Sequence, residues 1–115
     1  MPRFVVLEHD SPHGVHWDLM LEDGPALATW QLGRLPQAPD SIPAHRLADH
    51  RLRYLDYEGP ISGDRGTVAR WDQGTYQTLK RSETEWVVRL AGQRLCCQAV
   101  LKRAAQSEQW RLRLG

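Results

Sequence analysis

Val15-His16-Trp17-Asp18-Leu19-Met20-Leu21-Glu22 alternates between apolar and polar residues except at Met20. Val15, Trp17, Leu19 and Leu21 fall on one side of an extended chain, and His16, Asp18 and Met20 fall on the other. A period of two over eight residues reads as a β-strand with one face in a core. The second face is chemically pointed, because an imidazole and a carboxylate two residues apart can both give a lone pair to one divalent metal. Upstream, His9 is followed by Asp10 and then by the turn pattern Ser11-Pro12-His13-Gly14. A reversal there can return His9 to the same place, which makes His9, His16 and Asp18 a candidate ligand set.

The same β-like character recurs along the chain. Further strands are expected at Arg3–Glu8, Leu27–Leu32, Thr67–Trp71, Thr75–Lys80, Glu85–Ala91, Arg94–Lys102 and Gln109–Leu114. Turn signals separate them at Glu22-Asp23-Gly24-Pro25, Gly63-Asp64-Arg65-Gly66, Asp72-Gln73-Gly74 and Ala91-Gly92-Gln93. The Pro-containing piece Leu35–Pro43 reads as a loop. No long apolar stripe of helical period exists. Many short strands therefore predict an all-β fold, a sandwich or a barrel, in one domain over residues 1–115. Trp17, Trp30, Trp71, Trp86 and Trp110 mostly alternate with polar neighbours and are expected in the core, with one lining a cleft.

Residues 1–43 hold two arginines against six acids, and residues 44–115 hold thirteen Lys/Arg against eight acids. An acidic metal-ligand end followed by a basic remainder suits an anionic substrate held over a cation. The sequence has no apolar run of membrane-spanning length and no signal-peptide pattern. Cys96 and Cys97 are adjacent and poorly placed to pair with each other, and no other cysteine exists. That usage suggests a reducing compartment, the cytoplasm, and excludes a cysteine-based zinc cluster.

A second polar cluster runs from Ala44 to Pro60 and includes His45, Arg46, His50, Arg51, Arg53, Tyr54 and Tyr57. Arginine grips phosphate oxygens through its planar fork. Histidine binds phosphate or protonates a leaving oxygen near neutral pH. The plainer alternative is a solvated basic loop with Tyr54 and Tyr57 packed inward. His13 and His45 read as structural residues.

Taken together, the clusters resemble the 3′-phosphoesterase domain of bacterial and archaeal DNA ligase D. The resemblance is carried by Phe4-Val5-Val6, His9-Asp10 and His16-Trp17-Asp18-Leu19-Met20-Leu21-Glu22. It continues through Thr29-Trp30, Arg34, Pro36 and the run Asp49-His50-Arg51-Leu52-Arg53-Tyr54-Leu55-Asp56-Tyr57-Glu58-Gly59. Gly66-Thr67-Val68, Trp71-Asp72, Gly74-Thr75-Tyr76, Leu90 to Leu95 and Gln109-Trp110-Arg111-Leu112 complete it in order.

That resemblance implies a compact antiparallel β-barrel with the site in a polar cleft. It implies a metal-dependent activity, with manganese favoured, that removes a 3′-terminal ribonucleoside or a 3′-phosphate from a primer strand. DNA or RNA–DNA 3′ ends would be the substrate, with a separate ligase or polymerase of end joining as partner, since the chain reads as a free-standing relative. By position, His9, His16 and Asp18 would hold the metal, His50 would contact the scissile phosphate and serve as acid, and Tyr54 would shape the pocket. Two departures stand out. The family's phosphate-clamping arginine is replaced by Met20, and the His9–His16 spacing is one residue longer than usual. The segment before Asp49 is also shortened, which leaves Arg46 as the nearest equivalent of another phosphate-binding arginine. Arg51, Arg53 and Arg65 are further candidates for that role.

Two other functions fit the same residues. One is a module that keeps fold and metal and binds nucleic-acid ends without turnover. The other is a non-haem iron oxygenase using His16, Asp18 and His50.

Overall fold

Phe4-Val5-Val6-Leu7 is apolar on both faces, so the strand that contains it has to be covered twice. The computed structural model, which describes all 115 residues, shows how. Nine strands form: β1 (Arg3–Ser11), β2 (Gly14–Asp23), β3 (Ala26–Leu32), β4 (Ser41–Arg51), β5 (Gly59–Pro60), β6 (Thr67–Arg81), β7 (Glu85–Gly92), β8 (Gln98–Arg103) and β9 (Trp110–Leu114). Their order is β1-β2-β3-β4-β9-β8-β7-β6, with every neighbour antiparallel, and β1 also pairs with β6. That last pairing closes an eight-stranded barrel, and the short β5 is appended to β6. The expected all-β barrel is the fold found.

Inside the barrel lie Phe4 and Val6, Leu19 and Leu21, Trp30 and Leu32, and the inward residues of β4 and β6 to β9. Trp30 is fully buried and meets Trp86 and Trp110 edge-on, at centroid distances of 6.0 and 5.6 Å. Each large side chain so buried contributes about 1.5–3 kcal/mol relative to exposure. Trp17, Trp71 and Trp110 pack against this core while partly open.

The alternate residues of β1 face outward, and a second cluster of Val5, Leu7, Met20, Leu27, Leu55 and Val68 covers them. Its lid is the connection after β4, where a 3-10 turn at Leu52–Leu55 and Tyr54, Tyr57 and Ile61 lie over the outer face.

Three expectations need correction. Ser41–Arg51 is a strand, not a loop running into a polar cluster. Ile42 and Ala44 point inward while Ser41, Pro43 and His45 are exposed. Pro43 and the small Ala44 hide this alternation, because proline reads as a strand breaker.

Asp72-Gln73-Gly74 is not a turn. β6 runs unbroken from Thr67 to Arg81, with Trp71 bulged because Val6 pairs with Asp72 and Leu7 with Arg70. The Asp72 carboxylate is buried and accepts backbone N–H bonds from Gln73, Gln93, Arg94 and Leu95 at 2.8–3.1 Å, holding the turn after β7. Finally, β8 starts at Gln98, since residues 93–97 belong to that turn. Cys96 and Cys97 sit there as free thiols.

No helix is long and apolar enough to cross a membrane.

Candidate metal and phosphate site

The β1–β2 hairpin has Pro12 and His13 at its tip, with Ser11 opposite Gly14. The Ser11 hydroxyl donates to the Gly14 carbonyl (2.8 Å) and accepts from the His13 N–H (3.2 Å), which fixes the turn. Counting back from that tip, His9 and His16 are direct cross-strand partners. The seven-residue spacing is thus what a two-residue turn requires to put both imidazoles side by side on the outer face.

Their geometry is specific. His9 Nδ1 lies 2.9 Å from His16 Nε2, and the rings stand edge to face at 4.4 Å between centroids. Asp18, two residues after His16, brings Oδ1 to 3.4 Å from His16 Nε2 and Oδ2 to 3.8 Å from His9 Nδ1. One donor atom from each residue falls within a group spanning less than 4.8 Å.

The far side of His9 settles its tautomer. Nε2 donates to the Arg65 carbonyl at 2.7 Å, so the neutral ring turns the Nδ1 lone pair toward His16 and Asp18. Gly66 makes that contact possible. Its φ is +95°, and a Cβ there would stand 1.9 Å from the Asp10 carbonyl oxygen, so the residue-66 backbone presses directly on β1.

Burial sharpens the electrostatics. Asp18 is almost fully buried, and its Oδ1 has no hydrogen-bond partner. Desolvation pushes its carboxyl up to about 6, and a protonated His9 would pull the other way. Desolvation lowers His16, and His9 adds to that whenever it is protonated. Two imidazole nitrogens and an orphaned carboxylate oxygen converging on one point form a donor set that fits a divalent cation.

Next to these donors is a cavity of about 90 Å³ lined by Leu7, Met20, His50, Tyr54, Arg65 and Val68, among others. His50, on the outer face of β4 opposite Leu27, donates Nδ1–H to the Ala48 carbonyl at 2.9 Å. Its Nε2 is left without a protein partner. Tyr54 stands edge-on to His50 at 5.8 Å. Outside lies a groove of about 520 Å³, lined by Arg51, Arg53 and Arg65 together with His50, Tyr54 and Tyr57. Arg53 stacks over Tyr57 at 4.6 Å, and Arg65 is braced by its Nε bond to the Ser62 carbonyl at 2.8 Å.

His9, His16, Asp18, His50, Tyr54 and Arg65 are thus gathered in one place, with Arg51 and Arg53 on its outer rim. Arg46 is not among them. It points toward the barrel interior, its guanidinium 4.7 Å over Trp30, donating to the carbonyls of Thr29 and Leu47 and to Asp49. His50 stands across the cavity from the three donors, not within their cluster. Met20 forms the apolar floor, fully buried with Val5, Leu7 and Leu27. Sequence reasoning missed the carbonyl of Arg65 as the partner that orients His9. The turn signal at Gly63 to Gly66 marked the segment but not its destination.

The chain is similar to known proteins along most of its length. Residues 7–103 match the family described as the DNA ligase D 3′-phosphoesterase domain. The multifunctional non-homologous end joining protein LigD of Mycobacterium bovis is 36% identical over 103 residues, covering 80% of this chain and 13% of that protein. The multifunctional non-homologous end joining DNA repair protein LigD of Mycobacterium tuberculosis gives the same figures. LigD of Pseudomonas aeruginosa is 36% identical over 85 residues, covering 67% of this chain and 10% of its own. The chain therefore spans only about an eighth of the mycobacterial relatives it matches. With a barrel that carries the histidines and the aspartate on its outer face, and a match from residue 7 to residue 103, this chain belongs to the DNA ligase D 3′-phosphoesterase domain family.

Proposed function

We propose that this chain is a metal-dependent phosphoesterase that trims 3′ ends of DNA during break repair by end joining. It would remove a terminal 3′-ribonucleoside to leave a 3′-phosphate, then hydrolyse that phosphate to a hydroxyl fit for a polymerase or ligase acting in the cytoplasm. The observation that carries this reading is the convergence of His9 Nδ1, His16 Nε2 and an unpartnered Asp18 oxygen at the edge of a cavity shared with His50, Tyr54 and Arg65.

His9, His16 and Asp18 would hold the cation, which we take to be manganese. When bound it would polarise a phosphoryl oxygen and offset charge building on it. The protein's own groups supply the rest. Arg65, with Arg51 and Arg53 at the rim, attracts the phosphate. His50, its Nδ1 fixed by the Ala48 carbonyl, presents Nε2 to the departing ester oxygen and delivers a proton there when that ring is charged. On a 3′-phosphate, water adds to phosphorus and the P–O3′ bond breaks, giving the 3′-hydroxyl and inorganic phosphate; on a terminal ribonucleoside the P–O5′ bond breaks instead, freeing the nucleoside and leaving a 3′-phosphate. Tyr54 narrows the cavity beside His50. Contacts of this kind recognise a phosphate-bearing end and not a base order.

The test is turnover. Primer-templates ending in a 3′-phosphate or a single ribonucleotide are incubated with the protein and manganese. Conversion to a 3′-hydroxyl, abolished by chelator and by His16→Ala, is expected. A second reading rests on Met20, which puts an apolar side chain where the resemblance implies a phosphate clamp. On that reading the chain binds ends without cleaving them, and the same assay would show metal and DNA bound but no product.

A further inference from the structure

A second, wider concavity lies apart from the site just described. It is a groove of about 810 Å³ on the outer face of β3, β4, β8 and β9, walled by the loop between β8 and β9. Lys102, Arg103, Arg111, Arg113 and His45 line it, and no acidic residue does. Arg111 and Arg113 are two apart on β9, so both project outward while Leu112 and Leu114 fill the core. Lys102 sits opposite Arg111 in the register. Arg103 is drawn to Glu108 at 3.9 Å, and Arg111 reaches Ser41. Lys102 and Arg113 are exposed and free of ion pairs, and Glu85, across from Lys102, is held by Lys80 at 3.0 Å.

The groove is joined to the candidate site by the sheet itself. Asp18 pairs with Gln31, and Gln31 pairs with His45, both of which line the groove. From β2 to β9 is three strand spacings, about 14 Å along the curved sheet, so duplex running outside the barrel has to exceed about four base pairs to reach from one to the other. The geometry points to this groove as the track for the sugar–phosphate backbone of the DNA behind the 3′ end, with Lys102, Arg111 and Arg113 as its phosphate contacts. The inference rests on the nucleic-acid reading above and adds where the duplex lies. A row of cations whose groove is lined by no acid, with Glu85 and Glu108 only at its margin, fits a polyanion better than it fits a mixed-charge protein surface.

The test is affinity for labelled primer-template duplexes of increasing length across a salt series, using the full chain and Lys102→Ala/Arg111→Ala/Arg113→Ala. The wild-type affinity should step up once the duplex exceeds about four base pairs. The triple variant should lose that step, bind long duplex at least about tenfold more weakly, and show a salt slope smaller by about 2–3. A charge-preserving Lys102→Arg/Arg111→Lys/Arg113→Lys variant with the same thermal melt should keep both. Unchanged length and salt dependence in the alanine variant would overturn the groove while leaving end processing intact. Loss of DNA binding in that variant, with no turnover by the wild type, would keep the groove and remove the phosphoesterase reading. Wild-type capture of a poly-glutamate peptide through these residues, with no duplex binding, would overturn it in favour of an acidic protein partner.

Discussion

His9 and His16 face each other across the β1–β2 hairpin with Nδ1 and Nε2 2.9 Å apart, while the opposite nitrogen of His9 is tied to the Arg65 carbonyl. The second contact orients the first. The carbonyl can only accept, so His9 keeps its proton on the remote nitrogen and offers a lone pair at the site. Residues 65 and 66 are 56 or more positions away in sequence, so the ligand geometry depends on how that connection is pressed onto β1.

Gly66 is the point of pressure. Gly66→Ala places a Cβ where the Asp10 carbonyl already stands, at a positive φ that alanine resists. The expected cost is about 1–3 kcal/mol of stability. Metal affinity should also fall by about tenfold to a hundredfold as the Arg65 carbonyl withdraws from His9. Urea unfolding and calorimetric metal titration of the variant check the two effects separately.

Asp18 gives the metal-free protein a recognisable pH dependence. Burial raises its carboxyl from 3.8 to about 6 in the folded chain. Between those values the folded state keeps a proton that the unfolded state has released, so stability falls as pH rises through this window and levels off above it. The expected loss is about 2–3 kcal/mol. Asp23, Asp56 and Glu85, whose carboxyls are lowered by Arg81, Arg3 and Lys80, push the other way. The readout is therefore the difference between wild type and Asp18→Asn in chelator. Excess divalent metal should invert the sign, because only the folded, ionised site binds it.

Met20 separates packing from chemistry. Met20→Leu conserves volume on the floor of the site and should change stability by less than about 1.5 kcal/mol, with metal affinity unaltered. Met20→Arg introduces a fork into the small cavity at a cost of about 1–3 kcal/mol. In return it should raise kcat/KM on a 3′-phosphate by about tenfold, through one added charge-assisted contact. Steady-state kinetics on the two variants decide whether Met20 limits the reaction.

Much of this was readable from period-two patterns. Trp17, Leu19 and Leu21 against His16 and Asp18 placed β2 and its two faces correctly, since the barrel-facing side is apolar and register is then strongly specified. β4 was not legible, because its inward positions after Ile42 are the small Ala44 and then Arg46, which covers Trp30 with a cation. That inward turn is also why Arg46 does not reach the site, although it lies near His50 in sequence. Asp72 read as a turn residue because aspartate beside glycine usually is one. Here the carboxylate instead caps a turn more than twenty residues away, a long-range partner that no local pattern announces.

The central claim is that His9, His16 and Asp18 hold one divalent cation. Manganese titrated into metal-free protein can be followed by loss of the free-ion electron paramagnetic resonance signal, in wild type, His16→Ala and Asp18→Asn. The account predicts one ion bound per chain in the wild type and none of comparable affinity in either variant, with all three folded. Manganese binding that is absent from the wild type, or unchanged in both variants, would contradict it.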